Sequence, residues 1–397
     1  MLSNRQMFLR HLAQTSPSPL LLEIDRAEGV YLYDAAGKKY FDLISGVNVS
    51  SVGHGNPKVI EAIKSQADKY LHTMVYGELI QTPQVEFANL ITNYLPDSLE
   101  SVYFLNSGSE AIEGAMKLAK RYTGRQEIIS FKNAYHGSTQ GALSILGGEY
   151  FKQAYRPLLP GIRHLEFNNF DQLENITTNT ACVVAEVMQA EAGMIEQEEG
   201  FMKALRERCD LTGTLLVLDE VQTGFGRMGS LFGFEIYDIK PDILVLAKSL
   251  GGGMPLGAFI SSREIMEVLS YAPELGHITT FGGHPVCCAA GMAAMEIILD
   301  EDLAILSLEK EALFRDKLKN PLITEIRGKG LMLAVEFQDS TLMNKVVQIG
   351  LEDGFLTDWF LFCDTAIRIS PPMNTTTDEI ESICSLLDLS ISKAHNQ

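Results

Sequence analysis

Paired cysteines are missing from this chain. Cys182, Cys209, Cys287, Cys288, Cys363 and Cys384 form no C-x-x-C and no cluster with zinc-ligand spacing. Most lie among apolar neighbours and read as buried free thiols, which argues against a disulfide framework or a structural zinc. Basic residues are also in deficit, with 32 Lys and Arg against 51 Asp and Glu and a net charge of −19. Nucleic-acid partners call for a basic footprint, so none is expected. No apolar run approaches the ~20 residues of a membrane span. Met1 to Arg10 holds no apolar core of signal-peptide length, so the expectation is a cytoplasmic protein without membrane contact. Gly-Lys-[Ser/Thr] is absent, and no Gly-x-Gly-x-x-Gly is placed to open a helix directly after a strand. A P-loop and a dinucleotide-binding dehydrogenase are therefore disfavoured.

What is present is an ordinary globular composition, 46% hydrophobic and 21% charged, over 397 residues. That length fits one large domain and a smaller one. Residues 3–13 read as a short amphipathic helix. Leu20 to Leu22, Val30 to Tyr33 and Tyr40 to Asp42 read as short strands. Helical spacing of Val59, Ile60, Ile63 and Ala67 predicts a helix from Pro57 to Tyr70. From about 100 to 290, apolar runs alternate with helices. The runs are Val102–Leu105, Ile128–Phe131, Cys182–Ala185, Leu215–Leu218 and Ile243–Leu246, and the helices are 109–121, 200–212 and 284–299. This alternation predicts an α/β fold with a mainly parallel sheet covered by helices. Beyond 300, helices at 303–318, 341–350 and 377–391 and strands at Gly330–Glu336 and Ala366–Ile369 predict a smaller α+β domain. The expected division is 1–50 joining the small domain, 51–295 as the large domain and 296–397 as the small one.

Ligands of such sheets lie at the carboxyl ends of the strands, so the polar residues there carry the chemistry. Asp219 ends the run Leu215–Leu218, and Lys248 follows Ile243–Ala247 and precedes Gly251-Gly252-Gly253. A carboxylate and an amine at neighbouring strand ends suit pyridoxal 5′-phosphate (PLP). Its aldehyde takes a lysine Schiff base, and its ring nitrogen is kept protonated by an acid. The same two residues also read as a buried structural pair. Asn106-Ser107-Gly108-Ser109-Glu110-Ala111 opens a helix and reads either as an anion site or as a plain Ser N-cap. Tyr135, in Ala134-Tyr135-His136-Gly137, is either a stacking platform or a core tyrosine. Glu191 and Arg368 read locally as surface charges. However, Arg368 stands between Ile367 and Ile369, and a buried arginine needs a carboxylate.

Together these segments resemble the class-III, ornithine/acetylornithine-type, PLP-dependent aminotransferases of fold type I, from about residue 17 to 385. The resemblance is carried by Asp42-Leu43 with Gly53-His54-Gly55-Asn56-Pro57, by Asn106 to Ala111, by Tyr135-His136-Gly137 and by Glu186 to Gly193. It continues through Asp219 to Arg227, Ala247 to Gly253, Thr280 to Pro285 and Arg327 to Met332. The fold it implies is a large domain built on a seven-stranded-type sheet plus a smaller α+β domain. It implies that Lys248 holds PLP and shuttles the proton, that Asp219 pairs with the ring nitrogen and that Gln222 bonds the ring hydroxyl. Tyr135 would stack on the ring, and Ser107, Gly108 and Ser109 would form the phosphate site. Thr280 would reach the phosphate in the neighbouring subunit of a homodimer with shared active sites. Arg368 would grip a substrate carboxylate, and Glu191 would neutralise it when another substrate is bound. The partners implied are a small amino acid and a 2-oxo acid such as 2-oxoglutarate.

The chain departs from the pattern around the substrate. Ser138 stands where the ornithine and acetylornithine enzymes commonly carry arginine. Thr15 and Val47 stand where the ornithine enzymes carry tyrosines. The expected activity is an ω-aminotransferase of acetylornithine/ornithine type. The alternatives are a class-III enzyme for 4-aminobutyrate or another ω-amino acid, an aminomutase, decarboxylase or racemase on the same scaffold, or a binding protein that retains the fold.

Overall fold

In the computed structural model, which describes residues 2–396, the apolar runs line up as a seven-stranded sheet. The strands are, in chain order, β1 (Ile24–Glu28), β2 (Tyr31–Asp34), β3 (Lys39–Asp42), β4 (Ser101–Leu105), β5 (Glu127–Phe131), β6 (Ile162–Leu165), β7 (Thr180–Glu186), β8 (Met188–Gln189), β9 (Ile195–Glu196), β10 (Leu215–Asp219), β11 (Ile243–Ala247), β12 (Gly257–Ser261), β13 (Ile323–Lys329), β14 (Met332–Phe337), β15 (Phe355–Leu356), β16 (Trp359–Phe360) and β17 (Cys363–Ile369). The large sheet runs β4-β12-β11-β10-β7-β5-β6. Strands β11, β10, β7, β5 and β6 are parallel, and β12 runs antiparallel between β11 and β4.

Strands β7, β10, β11 and β12 are buried along their whole length. Their continuous apolar sequences follow from that, because both faces are covered. Successive side chains point to opposite faces. Leu216, Leu218, Leu244 and Leu246 enter one core cluster, while Leu215, Val217, Ile243 and Val245 enter the other. Helix Gly108–Thr123 begins at the Ser107 cap and stops at Gly124, whose φ of 71° is left-handed. Helices Pro57–Lys69 and Pro285–Asp300 both open on a proline at the first turn.

Besides the two-stranded pair β8-β9, two four-stranded sheets complete the fold. One has the order β1-β2-β3-β15 and the other β13-β14-β17-β16. Parallel pairing of β3 with β15 ties the N-terminal segment to the chain near residue 355. Leu20 to Leu22 form no strand. Leu21 has φ 55°, which breaks extended geometry, and β1 begins only at Ile24. Strands β6 and β12 and helix Thr82–Thr92 were not foreseen. β6 reads Ile-Arg-His-Leu on the sheet edge, and β12 starts on a glycine, so neither shows a strong apolar run. No described helix is long and apolar enough to cross a membrane.

Candidate active site

The parallel strands end on one rim, and Gly108, Ser109, Tyr135, Asp219, Gln222 and Lys248 collect there. A cavity of about 500 Å³ is lined by Gly108 and Ser109 after β4, Tyr135 to Thr139 after β5, Glu186 at the end of β7, Asp219, Val221, Gln222 and Thr223 at and after the end of β10 and Lys248 after β11. Register makes this unavoidable, since Asp219 pairs with Glu186 on one side and with Val245 on the other. Lys248 has φ 52°, a left-handed conformation that costs a non-glycine residue about 1–3 kcal/mol. Strain of this kind persists where the surroundings fix it, and here it turns the chain from β11 into the cavity wall. Lys248 is partly open to the cavity, yet its amine is desolvated. Burial lowers its pKa to about 8, with the charge of Glu191 pulling the other way.

Asp219 is held by the backbone. Its Oδ1 accepts from Val221 N at 3.0 Å, and its Oδ2 lies 2.7 Å from His136 Nδ1. Burial works against a charged His136, but the hydrogen bond and charge of Asp219, aided by Glu186, outweigh it and raise the imidazole pKa. Glu186 accepts from Tyr135 N at 3.1 Å and Ala190 N at 3.1 Å, and burial pushes it up to about 7. Asp219, His136 and Glu186 thus sit together in the cavity wall, joined by the His136–Asp219 bond.

A second buried cluster adjoins the first. The Arg368 guanidinium meets Glu191 at 3.0 Å and Asp358 at 2.8 Å and lies over the Phe360 ring at 4.7 Å. Arg368 is 1% exposed and Glu191 6%, so neither is a surface charge. Burial would raise Glu191, but Arg368 and Lys248 hold it below the ordinary carboxylate range. Gln222 bridges the pair. Its Nε2 donates to Glu191 at 3.1 Å, and its Oε1 accepts from Arg368 at 3.4 Å and from Asn48 at 3.3 Å.

At the other end, Ser109 Oγ lies 2.7 Å from Thr139 Oγ1. A side chain on Gly108 would press Val221 at 3.0 Å, and one on Gly137 would strike Ser109 Oγ at 2.3 Å. The helix N-terminus and its small residues thus pack closely at this end of the cavity. Ser107 lies outside the lining, where its hydroxyl caps Glu110 N. Thr280 is exposed and does not line its own chain's cavity, although the adjacent Thr279 accepts from Asn106 at 3.2 Å. Ser138 is exposed at the lip, 3.2 Å from the Tyr135 hydroxyl.

The sequence reading passed over His136, Glu186, Asn48 and Asp358. His136 and Glu186 carried a usable signal, since each follows or ends an apolar strand run beside residues that were chosen. Asn48 lies between the Asp42-Leu43 and Gly53 motifs and Asp358 lies 10 residues before Arg368, but neither ends an apolar strand run, and Asn48 meets Gln222 only by folding. One string, Gly224-Phe225-Gly226-Arg227-Met228-Gly229, does spell Gly-x-Gly-x-x-Gly. It forms consecutive turns and opens no helix, so the case against a dinucleotide fingerprint rests on context and not on missing letters.

The family model "Aminotransferase class-III" matches residues 12–391. The chain belongs to the class-III aminotransferase family. It is 39% identical over 379 residues to an acetylornithine aminotransferase of Methanocaldococcus jannaschii, with 91% of each chain covered. It is 37% identical to a [LysW]-aminoadipate semialdehyde/glutamate semialdehyde transaminase of Sulfurisphaera tokodaii, covering 91% of this chain and 92% of that one. The fold superposes on the ornithine aminotransferase of Toxoplasma gondii, a structure described with PLP in partial occupancy at its active site. That match has a TM-score of 0.91 at 29% identity, covering 98% of this chain and 93% of the other. The protein is thus an aminotransferase of class III, with small amino and oxo acids as the substrates of its reaction.

Proposed function

We propose that the chain uses PLP to move an amino group from an ω-amino-acid donor of acetylornithine or ornithine type to a 2-oxo acid, with 2-oxoglutarate as the acceptor. The observation that carries this reading is the joining of Lys248 and Asp219 in one cavity, with a helix N-terminus at one end and a buried arginine beside the other. The residues fit the cofactor. Lys248 would hold it covalently, Asp219 would meet its ring nitrogen and Gln222 its ring hydroxyl. Tyr135 would cover its face, and Gly108 and Ser109, set by the Ser107 cap, would take its phosphate. When bound, PLP supplies the electron sink that makes the substrate Cα–H acidic.

The chain's own residues do the rest. An amine with a pKa near 8 takes and returns a proton close to neutral pH, so Lys248 can serve both directions of transfer. His136 stabilises the negative charge of Asp219. The Arg368 fork reads a carboxylate with fixed geometry, and Glu191 covers that fork when the substrate brings no second carboxylate. We further propose a homodimer in which Thr280 completes the partner's phosphate site, a cytoplasmic location, and the division into 1–50, 51–295 and 296–397. Ser138 supports a second reading of the donor, as 4-aminobutyrate or another ω-amino acid, because the lip carries a hydroxyl where a carboxylate-reading cation would stand.

The test is the visible absorption of the PLP-loaded protein during addition of L-glutamate, N-acetylornithine, ornithine, 4-aminobutyrate and β-alanine, one at a time. Bleaching by glutamate and one other donor, with recovery on 2-oxoglutarate, supports transamination and names the donor. A PLP band that no donor bleaches would remove the ornithine-type assignment.

A further inference from the structure

Ser45, Gly46, Val47 and Asn48 have φ values of 45°, 64°, 56° and 67°. Three non-glycine residues in the left-handed region within one short stretch is costly, and the stretch is held by many bonds. Asp42 Oδ1 accepts from Ile44 N at 3.0 Å and Ser45 N at 2.8 Å. Ser45 Oγ donates to Ser370 O at 2.6 Å, and Asn48 O accepts from Ser249 Oγ at 2.7 Å, next to Lys248. This strained stretch delivers the Asn48 side chain to Gln222. Asn48 is completely buried, its Nδ2 donates to Gln222 Oε1 at 3.3 Å, and its Oδ1 has no partner among the described residues. A buried unpaired amide oxygen carries the full desolvation cost of an unmade bond.

Two primary amides side by side can exchange two hydrogen bonds, one in each direction. Asn48 and Gln222 exchange one, and Gln222 Nε2 points instead to Glu191 at 3.1 Å. We propose that Asn48 Oδ1 is the second seat of the Gln222 amide, taken when Glu191 leaves Arg368. Glu191 must move aside for Arg368 to receive a substrate carboxylate, and that movement strips Gln222 of its acceptor. Asn48 supplies a replacement, so opening loses no hydrogen bond and the Glu191–Gln222–Arg368 clip has two satisfied states. The Gln222 amino group has two hydrogens, so one remains for the cofactor hydroxyl in either state. Asn48 is thus a positioning residue that tunes how readily a dicarboxylate is admitted. This inference rests on the reading of Arg368 and Glu191 given above.

Asn48→Gly removes the amide and keeps the left-handed backbone. Asn48→Ser, with a short hydroxyl, serves if the glycine variant does not accumulate. The probe is glutarate, an unreactive dicarboxylate, titrated calorimetrically into the PLP-loaded protein. Alongside it, KM is measured for the amine donor that leaves the clip closed. The expected result is glutarate binding weakened about 2- to 10-fold, the worth of one hydrogen bond, with the donor KM unchanged. Equal weakening of both ligands, or unchanged glutarate binding, would overturn the role of Asn48. Wild-type protein that binds no glutarate would overturn the assignment of Arg368 itself, and the proposal with it.

Discussion

Asp219 ends β10, the central strand of the large sheet, and Lys248 follows its neighbour β11, and burial decides what each can do. The Lys248 amine has a pKa of about 8 in the fold against an ordinary 10.5. The unfolded chain therefore binds more protons between those values, and stability of the cofactor-free protein should rise with pH across that window. Lys248→Met should abolish that rise, as read from urea midpoints at pH 7 and pH 10, and should also abolish turnover. The rate at which cofactor-free protein takes up PLP should follow a titration near 8 and not near 10.5. Asp219→Ala should lower turnover by about 100-fold or more, since it removes the charge proposed to face the ring nitrogen of PLP. It also strips His136 of its partner, so the imidazole pKa should fall and be visible in its NMR titration.

Among the secondary-structure elements, β12 and the helix from Gly108 decide the shape of the anion end. Gly257 opens β12 opposite Leu105, and a side chain there would sit 2.2 Å from Ser107 O. Gly257→Ala should therefore push the helix N-terminus away from the cavity. We expect about 1–3 kcal/mol of lost stability from overpacking and a clear drop in PLP affinity, measured by equilibrium titration of the cofactor-free variant. An alanine at Gly253, where no atom lies within 4 Å, meets no clash and strains only its φ of 100°, so its effect on PLP affinity should be smaller.

Across the molecule, Arg227 joins segments that are distant in sequence. It is fully buried without a carboxylate partner. It donates to Ser51 Oγ at 3.2 Å through Nε, to Ser45 Oγ at 2.9 Å and to Pro371 O at 2.6 Å. Burial lowers its pKa to about 9. One guanidinium thus ties the strained N-terminal stretch and the end of β17 to the loop after β10. Arg227→Met should cost about 2–4 kcal/mol in denaturant unfolding, through lost bonds and stranded hydroxyls. Arg227→Lys should not restore it, because an ammonium cannot span three oxygens in a plane. The proposed dimer is tested by mixing Lys248→Ala and Thr280→Ala subunits. A shared site predicts a mixed dimer with one site free of both substitutions, and so more activity than either parent alone.

Local sequence was enough for the strands of the large sheet's centre, because a parallel sheet covered on both faces demands unbroken apolar runs such as Leu215–Leu218 and Ile243–Leu246. It also put Lys248, Asp219, Tyr135 and Gly108 at strand ends, which share a rim on one side of such a sheet, but it left open whether each serves a ligand or only the fold. It was not enough for β6 and β12, whose edge position or glycine dilutes the pattern. Nor could it show that Arg368 and Glu191 are buried together, that Asn48 and Asp358 close around them through Gln222 and Arg368, or that Arg227 is buried against Ser45, Ser51 and Pro371. Apart from Asp358, which meets Arg368 from 10 positions away, those contacts join residues 100 or more positions apart, and nothing in a local window encodes them. Side-chain periodicity and turn chemistry act over a few residues, whereas pairing of buried charges is settled only when separate elements pack and water is excluded.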